Sequence, residues 1–358
     1  MVYLKSLYLH NFRLYEEAYV EFCPGVNWIS GRNACGKTSL LEAIHLLASG
    51  RSFRTHQLVN LIRHQSSHFY LEAHFIKHGI AQKLRMVHSP KERKIFINNT
   101  QCTSVSNLIG LLLSVVLSPD DLSLISGAPQ ERRQYLDAQL AQVDPLYLHH
   151  LSRYQRAMRQ RNTLLKTKNL STIEGWEYEM ANSAAYILKK RLPLIEQLQN
   201  EATPLHQLIS EEPVALTLNY RPTGKIEGDP NYFRELYIEQ YQKNREREMM
   251  LASTLIGPHK DDITIAIGSK EARYFASEGQ QRSCAASLRL AEWNLLHANS
   301  EVMPLMIIDD INTSLDAERC RRLFQQINKL SQVFVSSTLP LPEEFRDREH
   351  MVICPGAF

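Results

Sequence analysis

A loop bounded by two glycines lies between a strand-like segment and a helix-like segment of the chain. The pattern is Gly31-Arg32-Asn33-Ala34-Cys35-Gly36-Lys37-Thr38, followed by Ser39. An apolar run around Trp28 precedes the loop, and apolar residues at helical spacing follow it from Leu40 to Leu47. Loops of this kind bind phosphate, because their backbone N–H groups and the positive end of the helix converge on one anion. The pattern predicts a nucleotide site, with Lys37 at the β- and γ-phosphates and the Thr38 hydroxyl on Mg²⁺.

The composition is that of a globular protein with reduced thiols. The 358 residues are 44% hydrophobic and 22% charged, with a formal net charge of only +3. A nucleic-acid surface would therefore have to come from local clustering of basic residues rather than from bulk charge. No apolar segment has membrane length, the start of the chain does not resemble a signal peptide, and the six cysteines form no CxxC pair. We expect a cytoplasmic protein with no membrane partner.

Hydrophobic periodicity changes twice along the chain. Strand-like alternation is predicted for three short segments within residues 1–30, for a meander from His68 to Ile97 with turns near Gly79 and Ser89, for Val214–Leu218, for Leu305–Ile308 and for Val333–Val335. Helix-like spacing is predicted from the loop to about Ala48, from about residue 129 to 210, and from about Ala317 to Leu330. The chain is thus expected to have an α/β fold interrupted by a mainly helical middle segment.

Two carboxylates end an apolar segment near the C-terminus, Pro304-Leu-Met-Ile-Ile-Asp309-Asp310. A buried parallel strand that ends at Asp309 would place this carboxylate beside the phosphate loop, where it can hold Mg²⁺. Asp310 can then orient or deprotonate an attacking water. A solvated acidic turn is the plainer alternative, but a phosphate loop in the same chain favours the metal site.

A second anion-binding element is predicted at Ser277-Glu-Gly279-Gln280, which precedes a helix-like run. Free N–H groups at a helix start and a serine hydroxyl can bind phosphate, although an ordinary capped helix has the same sequence. The order of loop, serine-glycine helix start and paired acids resembles that of ABC-type ATPases. In that class, the serine-glycine element completes the nucleotide site of a second subunit.

Further short sequence motifs narrow the resemblance to one family. They are Asn11-Phe-Arg13, Gly50-Arg-Ser-Phe-Arg54, Ser118-Pro-Asp-Asp-Leu122, Gly127-Ala-Pro-Gln-Glu-Arg-Arg133, Gly257-Pro-His-Lys-Asp-Asp262 and Ser277-Glu-Gly-Gln-Gln-Arg282, in this order. Over nearly its whole length, the chain resembles the RecF family of bacterial recombination and replication-repair proteins.

The resemblance implies the fold class α/β, an ABC-type P-loop ATPase head with mixed sheet, interrupted by a mainly helical lobe. The first lobe would comprise residues 1–115 and 271–358, and the helical lobe residues 116–270. It also implies a DNA-binding protein that forms a homodimer on ATP and hydrolyses ATP slowly. Such a protein works with RecR and RecO to help load RecA at single-strand gaps.

The resemblance also implies roles for individual residues. Lys37, Asp309 and Asp310 would be catalytic, with Thr38 and Asp309 as Mg²⁺ ligands. The nucleotide would be bound by Arg13, by Gly31, Arg32, Asn33, Ala34, Cys35, Gly36, Lys37, Thr38 and Ser39 of the loop, and by Ser277, Gly279 and Gln280 of a second copy.

Three positions depart from the family pattern. Ala34 replaces a glycine and is expected to fit only with a negative φ angle. Lys260 replaces an arginine, so the planar guanidinium with its several N–H donors is replaced by a single ammonium group. Ser314 replaces a glutamate near the expected dimer interface.

Basic residues at near-helical spacing offer a DNA-facing surface, which is predicted to include Arg153, Arg156, Arg159, Arg161, Lys166, Lys168, Lys189, Lys190 and Arg191. Arg51 and Arg54 form a second candidate, and a solvated helix face is the plain alternative. The string His259-Lys-Asp261-Asp262 is too short for a metal site. Three other functions are alternative hypotheses. The absence of heptads disfavours a chromosome-maintenance-type structural ATPase head, and the lack of a glutamine-centred coupling loop, together with the motifs above, disfavours a transporter ATPase subunit. The lack of a spare acidic cluster disfavours a nuclease-linked ATPase.

Overall fold

The chain forms two compact units in this computed structural model, which describes residues 2–102, 104–300, 302–310 and 316–354. Unit 1 contains Met1–Leu122, Pro204–Pro213 and Ser277–Phe358, and unit 2 contains Ser123–Thr203 and Val214–Ala276. The lobe boundaries at residues 115 and 270 stay predictions. The compact units divide after Leu122 and Ala276, and Pro204–Pro213 belongs to unit 1. Within the described ranges, no helix is long and apolar enough to cross a membrane.

Strands and helices make up most of the described chain. The strands are β1 (Val2–Phe12), β2 (Tyr15–Glu21), β3 (Val26–Ser30), β4 (Phe69–Lys77), β5 (Ile80–His88), β6 (Arg93–Ile97), β7 (Thr100–Cys102), β8 (Ser114–Leu117), β9 (Leu216–Arg221), β10 (Asp262–Ile267), β11 (Lys270–Glu271), β12 (Leu305–Ile308), β13 (Val333–Ser337) and β14 (His350–Ile353). The helices are α1 (Lys37–Ser49), α2 (Leu122–Ser126), α3 (Pro129–Val143), α4 (Pro145–Thr167), α5 (Ile173–Ser210), α6 (Phe233–Leu251), α7 (Ala272–Phe275), α8 (Glu278–Ala298) and α9 (Ala317–Ile327).

One sheet of unit 1 is antiparallel, with the strand order β2-β1-β4-β5-β6-β7. In β4, every second residue from Phe69 to Phe75 is buried, which is the period of a strand with one face on a core. The predicted meander and its turns near Gly79 and Ser89 are confirmed.

The other sheet of unit 1 is parallel, with the order β14-β3-β13-β12-β8. Strands β12 and β13 are buried along their whole lengths, so their sequences are continuous apolar runs without alternation. Parallel pairing places the carboxyl ends of β3, β13 and β12 at the same edge. This edge therefore carries the phosphate loop, Ser336 and Asp309.

Unit 2 combines helices α3, α4 and α6 and most of α5 with the antiparallel sheet β11-β10-β9. The predicted helical character of residues 129–210 is confirmed, whereas α6 was not predicted. Aromatic side chains fill much of the core of this unit, including the fully buried Tyr147, Tyr154, Phe233, Tyr237 and Tyr241.

Two of the arginines that were predicted to face DNA are buried in unit 2. Arg161 Nη2 donates to Glu177 Oε1 at 2.9 Å, and Arg191 Nη2 donates to Asp137 Oδ1 at 2.7 Å. Both arginines are at most 1% exposed, so the prediction that they face DNA is wrong. A buried guanidinium needs its carboxylate, because loss of one partner leaves an uncompensated charge at a cost of about 3–5 kcal/mol.

His259 lies half-buried in unit 2 as a neutral imidazole. Its Nε2 lies 3.1 Å from the Thr254 carbonyl oxygen, which can only accept, so Nε2 carries the proton. Nδ1 is then the acceptor for the Tyr154 hydroxyl at 2.6 Å. Burial lowers the pKa of His259 to about 4, the Thr254 hydrogen bond opposes this shift, and the charges of Lys260, Arg133 and Arg161 add to it.

The stability of unit 2 should fall on acidification through His259. Between pH 6.5 and 4 the unfolded chain binds a proton that the folded chain does not, so acid favours unfolding. From pH 7 to pH 5 this group should lower the free energy of unfolding by about 2 kcal/mol. Denaturant unfolding at both pH values measures the effect. His259→Gln should reduce the pH dependence by that amount, and an unchanged dependence would contradict the assignment.

Candidate nucleotide site

The phosphate loop connects the end of β3 to the start of α1. Gly36 has φ 107 at the helix N-cap, a backbone conformation that favours glycine. A Cβ on Gly36 would lie 2.7 Å from the Tyr15 hydroxyl oxygen, and this hydroxyl donates to the Gly36 carbonyl at 3.1 Å. Only glycine therefore allows Tyr15 to hold the loop in this curve.

Lys37 folds back over the loop that precedes it. Its Nζ donates to the carbonyl oxygens of Gly31 at 2.8 Å and of Arg32 at 2.9 Å. The residue is only 8% exposed, so the protein covers most of its charged side chain. An ammonium has three N–H groups, and the third can reach a phosphate oxygen.

Ala34 has φ 63, in the left-handed region. The expectation that this alanine has a negative φ is wrong. The loop requires a left-handed backbone conformation here, which glycine adopts readily. An alanine in this conformation carries backbone strain of about 1–2 kcal/mol.

Three side chains meet at the edge of the parallel sheet. The Thr38 hydroxyl donates to Asp309 Oδ1 at 2.9 Å, and the Ser336 hydroxyl donates to the same oxygen at 2.7 Å. Burial raises the pKa of Asp309, the two hydrogen bonds oppose this, and the Asp310 charge adds to it. Two hydrogen bonds to one buried oxygen fix the carboxylate beside the first turn of α1.

Asp310 is oriented through its backbone. Its N–H donates to the Ser336 hydroxyl oxygen at 2.8 Å, and its φ is 49. One serine thus holds both carboxylate residues, since its proton goes to Asp309 and its oxygen accepts from Asp310. Sequence reasoning missed Ser336, although its position at the end of a buried strand was a usable signal.

These donors fit a small hard cation. A hydroxyl and a carboxylate, at Thr38 and Asp309, offer oxygen ligands of the kind that Mg²⁺ takes together with phosphate oxygens and water. Residues 311–315, which include the departure at Ser314, lie outside the described residues.

Arg13 is tied to the phosphate-loop helix. Its Nε donates to Glu42 Oε2 and its Nη2 to Glu42 Oε1, both at 2.8 Å. The Ser52 hydroxyl also donates to Glu42 Oε1, and Arg54 Nη1 lies 3.9 Å from Oε2. Glu42 is fully buried. Its carboxylate holds Arg13, which was predicted to bind nucleotide, and lies near Arg54, which was predicted to bind DNA, so both arginines lie next to α1.

The predicted second group of site residues forms the first turn of α8. Ser277 and Gln280 make a capping box, in which the serine hydroxyl accepts from Gln280 N at 3.3 Å and Gln280 Oε1 accepts from Ser277 N at 3.0 Å. Ser277 is exposed, and its role toward a second copy stays a prediction.

The remaining predicted DNA residues lie at accessible positions of each unit. In unit 1, Arg51 and Arg54 follow α1. In unit 2, Arg156 and Arg159 are exposed on α4, and Arg153 pairs with Glu179. Lys260, the second departure, is also exposed.

The chain is similar to known proteins over most of its length. The family model of the RecF/RecN/SMC N terminal domain matches residues 3–340. A DNA replication and repair protein RecF from Protochlamydia amoebophila is 52% identical over 338 residues, which are 94% of this chain and 94% of that protein.

Two solved structures are also similar to this chain over most of its length. The recombination mediator protein RecF-ATP in the RecFOR pathway is 30% identical, with a TM-score of 0.89 over 99% of this chain and 96% of that chain. SmcHead, solved with the C-winged helix domain of ScpA, has a TM-score of 0.55 at 16% identity, over 96% of this chain and 91% of that chain. The likeness to SmcHead concerns the fold alone. The predicted ABC-type α/β fold class is confirmed.

Ser336→Ala should weaken the site. The change removes one hydrogen bond from Asp309 and leaves the Asp310 N–H without its acceptor. The free energy of unfolding should fall by about 1 kcal/mol, and ATP turnover should fall about tenfold. Ser336→Thr keeps the hydroxyl and is the control. Wild-type turnover in the alanine variant would show that Ser336 does not position the two acids.

Ala34→Gly should not destabilise the protein. Glycine relieves the left-handed strain of about 1–2 kcal/mol and costs about 0.5–1 kcal/mol of chain entropy, so the free energy of unfolding should stay constant or rise slightly. Ala43→Gly, in the middle of α1, is the matched control and should cost about 1 kcal/mol. Equal losses in the two variants, measured by denaturant unfolding, would refute the strain at Ala34.

Proposed function

The chain belongs to the RecF/RecN/SMC N-terminal domain family and, within it, to the RecF proteins, and from this premise we propose that it is an ATP-hydrolysing DNA-binding protein of recombinational repair. The contact between Thr38 and Asp309 carries the proposal. It joins the first turn of the phosphate-loop helix to the carboxylate at the end of β12, which is the arrangement that a nucleotide-bound Mg²⁺ requires.

Each residue of the loop has a defined task in the proposed site. The backbone N–H groups of residues 32–37 and the N-terminus of α1 bind the phosphates, and Lys37 neutralises the β- and γ-phosphates. Thr38 and Asp309 would hold Mg²⁺, which supplies Lewis-acid stabilisation of the phosphate charge. Asp310 would orient the attacking water, and Arg13 would contact the nucleotide from its position on Glu42.

A second copy of the chain would complete this site. Ser277 lies at the accessible N-terminus of a 21-residue helix, so it can meet the γ-phosphate of a nucleotide held by another molecule. ATP would then hold two chains together from both sides of the phosphate. Hydrolysis removes the γ-phosphate that joins the two chains, so the dimer dissociates. The slow rate of hydrolysis then sets the lifetime of the dimer.

DNA binding would use phosphate contacts. Arg156 and Arg159 on α4 are the strongest candidates, because both are exposed and neither forms an ion pair among the described residues. Contacts of this kind are weakly sequence-specific and steeply salt-dependent. In the cell, we propose that the ATP-bound dimer recognises gapped DNA with RecR and RecO and helps to load RecA.

The proposal predicts that ATP causes dimerisation and that gapped duplex DNA stimulates hydrolysis. Sedimentation and ATP turnover with and without DNA measure both effects. Lys37→Arg should keep ATP binding and lose turnover, because the charge remains but its geometry changes. If DNA neither binds with ATP nor changes the hydrolysis rate, the repair function is wrong.

The DNA surface can be tested separately. Replacing Arg156 and Arg159 by glutamate should weaken DNA binding. The slope of the logarithm of the binding constant against the logarithm of the salt concentration should also become less steep by about one for each phosphate that the variant no longer binds. Arg321→Glu combined with Arg346→Glu is the control with the same change in net charge, since these arginines are 50% and 64% exposed in unit 1. An equal effect of the control would show that only net charge matters.

A further inference from the structure

The segment that follows helix α5 turns sharply and presents a carboxylate. Glu211 has φ 58 and ends the helix, and the Ser210 hydroxyl donates to the His206 carbonyl at 2.7 Å. The same hydroxyl accepts from the Glu212 N–H at 3.2 Å. His206 and Ser210 are buried, so the backbone of Glu212 is held by a fixed turn.

The Glu212 carboxylate is hydrogen-bonded to the first turn of α8. Nε2 of Gln280 donates to Glu212 Oε1 at 3.0 Å and to Oε2 at 3.1 Å. The other end of this amide, Oε1, accepts from Ser277 N. The orientation of the amide is determined on chemical grounds, because a carboxylate only accepts and a backbone N–H only donates. The side chain of Gln280 therefore links the helix cap to Glu212.

Arg319 of α9 provides a second link. Its Nη2 lies 3.6 Å from Glu212 Oε1, and its Nε lies 3.6 Å from Asp316 Oδ2. A Cβ on Gly279 would lie 2.5 Å from Arg319 Nη1. The glycine thus lets the guanidinium pack directly on the first turn of α8. Glycine at this position has a reason within the chain itself, apart from any approach of a nucleotide.

Glu212, Gln280 and Arg319 form a cluster that we call the α8 clamp. All three belong to unit 1, and the Glu212 carboxylate is the member that contacts both others. Its side chain is 29% exposed, so its loss would not open a buried core. Without it, the amide of Gln280 and the guanidinium of Arg319 lose their common partner.

We propose that Glu212 is a positioning residue for the nucleotide site of the second copy, acting through the α8 clamp on Ser277 and Gly279. The inference rests on the proposed function in that the first turn of α8 meets the nucleotide of another chain. Glu212 itself does not touch the nucleotide. It holds the N–H groups and the hydroxyl of this turn in the geometry that an anion requires.

Glu212→Ala tests the proposal in two measurements. In the nucleotide-free chain, hydrogen exchange of the Ser277, Gln280 and Gln281 amides, which are hydrogen-bonded within this turn, should be about tenfold faster, because the turn opens more often. With ATP, the dimer dissociation constant should rise about tenfold. ATP binding to the chain's own loop, measured at concentrations where the protein is monomeric, should stay within about twofold.

Two further variants separate positioning from stability. Glu211→Ala is the matched control: Glu211 is the neighbouring carboxylate, is 71% exposed and pairs with Arg322 of the same helix α9. It should leave exchange and dimerisation unchanged. Glu212→Gln keeps one acceptor oxygen for the Gln280 amide, so it should keep dimerisation within about threefold of wild type.

The outcomes distinguish this inference from the proposed function. If the wild-type chain does not dimerise on ATP, the proposed function fails, and hydrogen exchange still decides whether Glu212 positions the turn. Unchanged exchange at the Ser277, Gln280 and Gln281 amides in Glu212→Ala would overturn the inference. So would an equal loss of ATP binding to the chain's own loop, since that result would show a general loss of structure.

Discussion

The candidate site depends on the hydrogen bonds that converge on Asp309 Oδ1. Thr38 reaches this oxygen from the phosphate-loop helix and Ser336 reaches it from β13, so three separate chain segments are held at one carboxylate. Parallel pairing of β3, β13 and β12 brings their carboxyl ends to one edge, which is why residues far apart in sequence meet there. Burial makes this arrangement sensitive, since a buried carboxylate without its donors would be costly. The left-handed backbone of Asp310 is held at the same point, because its N–H donates to the Ser336 hydroxyl oxygen.

Much of the fold could be predicted from hydrophobic periodicity, and the reasons for the failures are physical. Strand β12 was predicted with its observed bounds, because a buried parallel strand is a continuous apolar run. Helix α6 was missed, since charged residues dominate it and its burial depends on Phe233, Tyr237 and Tyr241, four residues apart. That aromatic spacing was a usable signal. The φ of Ala34 could not be predicted, because the loop geometry imposes a conformation against the preference of the residue.

Charge patterns proved the least informative part of the sequence. Arg153, Arg156 and Arg159 recur every three residues and Arg161 follows two residues later, yet Arg161 is completely buried with Glu177 while Arg156 and Arg159 are exposed. Spacing along a helix defines a face but not what packs against that face, and the carboxylate partners lie 16 or more residues away in sequence. The same limit applies to Glu42, Ser336 and Glu212. Each has partners that only the folded chain brings close. The end of a buried strand was a signal for Ser336, whereas no local motif marks Glu42 or Glu212.

The central claim is that one chain holds only half of each working site. Mixing Lys37→Arg chains with Ser277→Arg chains tests it most directly, with ATP turnover measured across mixing ratios. Each variant alone should be inactive. An equal mixture should recover about a quarter of wild-type turnover, because half of the dimers are mixed and each mixed dimer has one intact site. Full activity of Ser277→Arg alone, or no recovery in the mixture, would contradict the shared site.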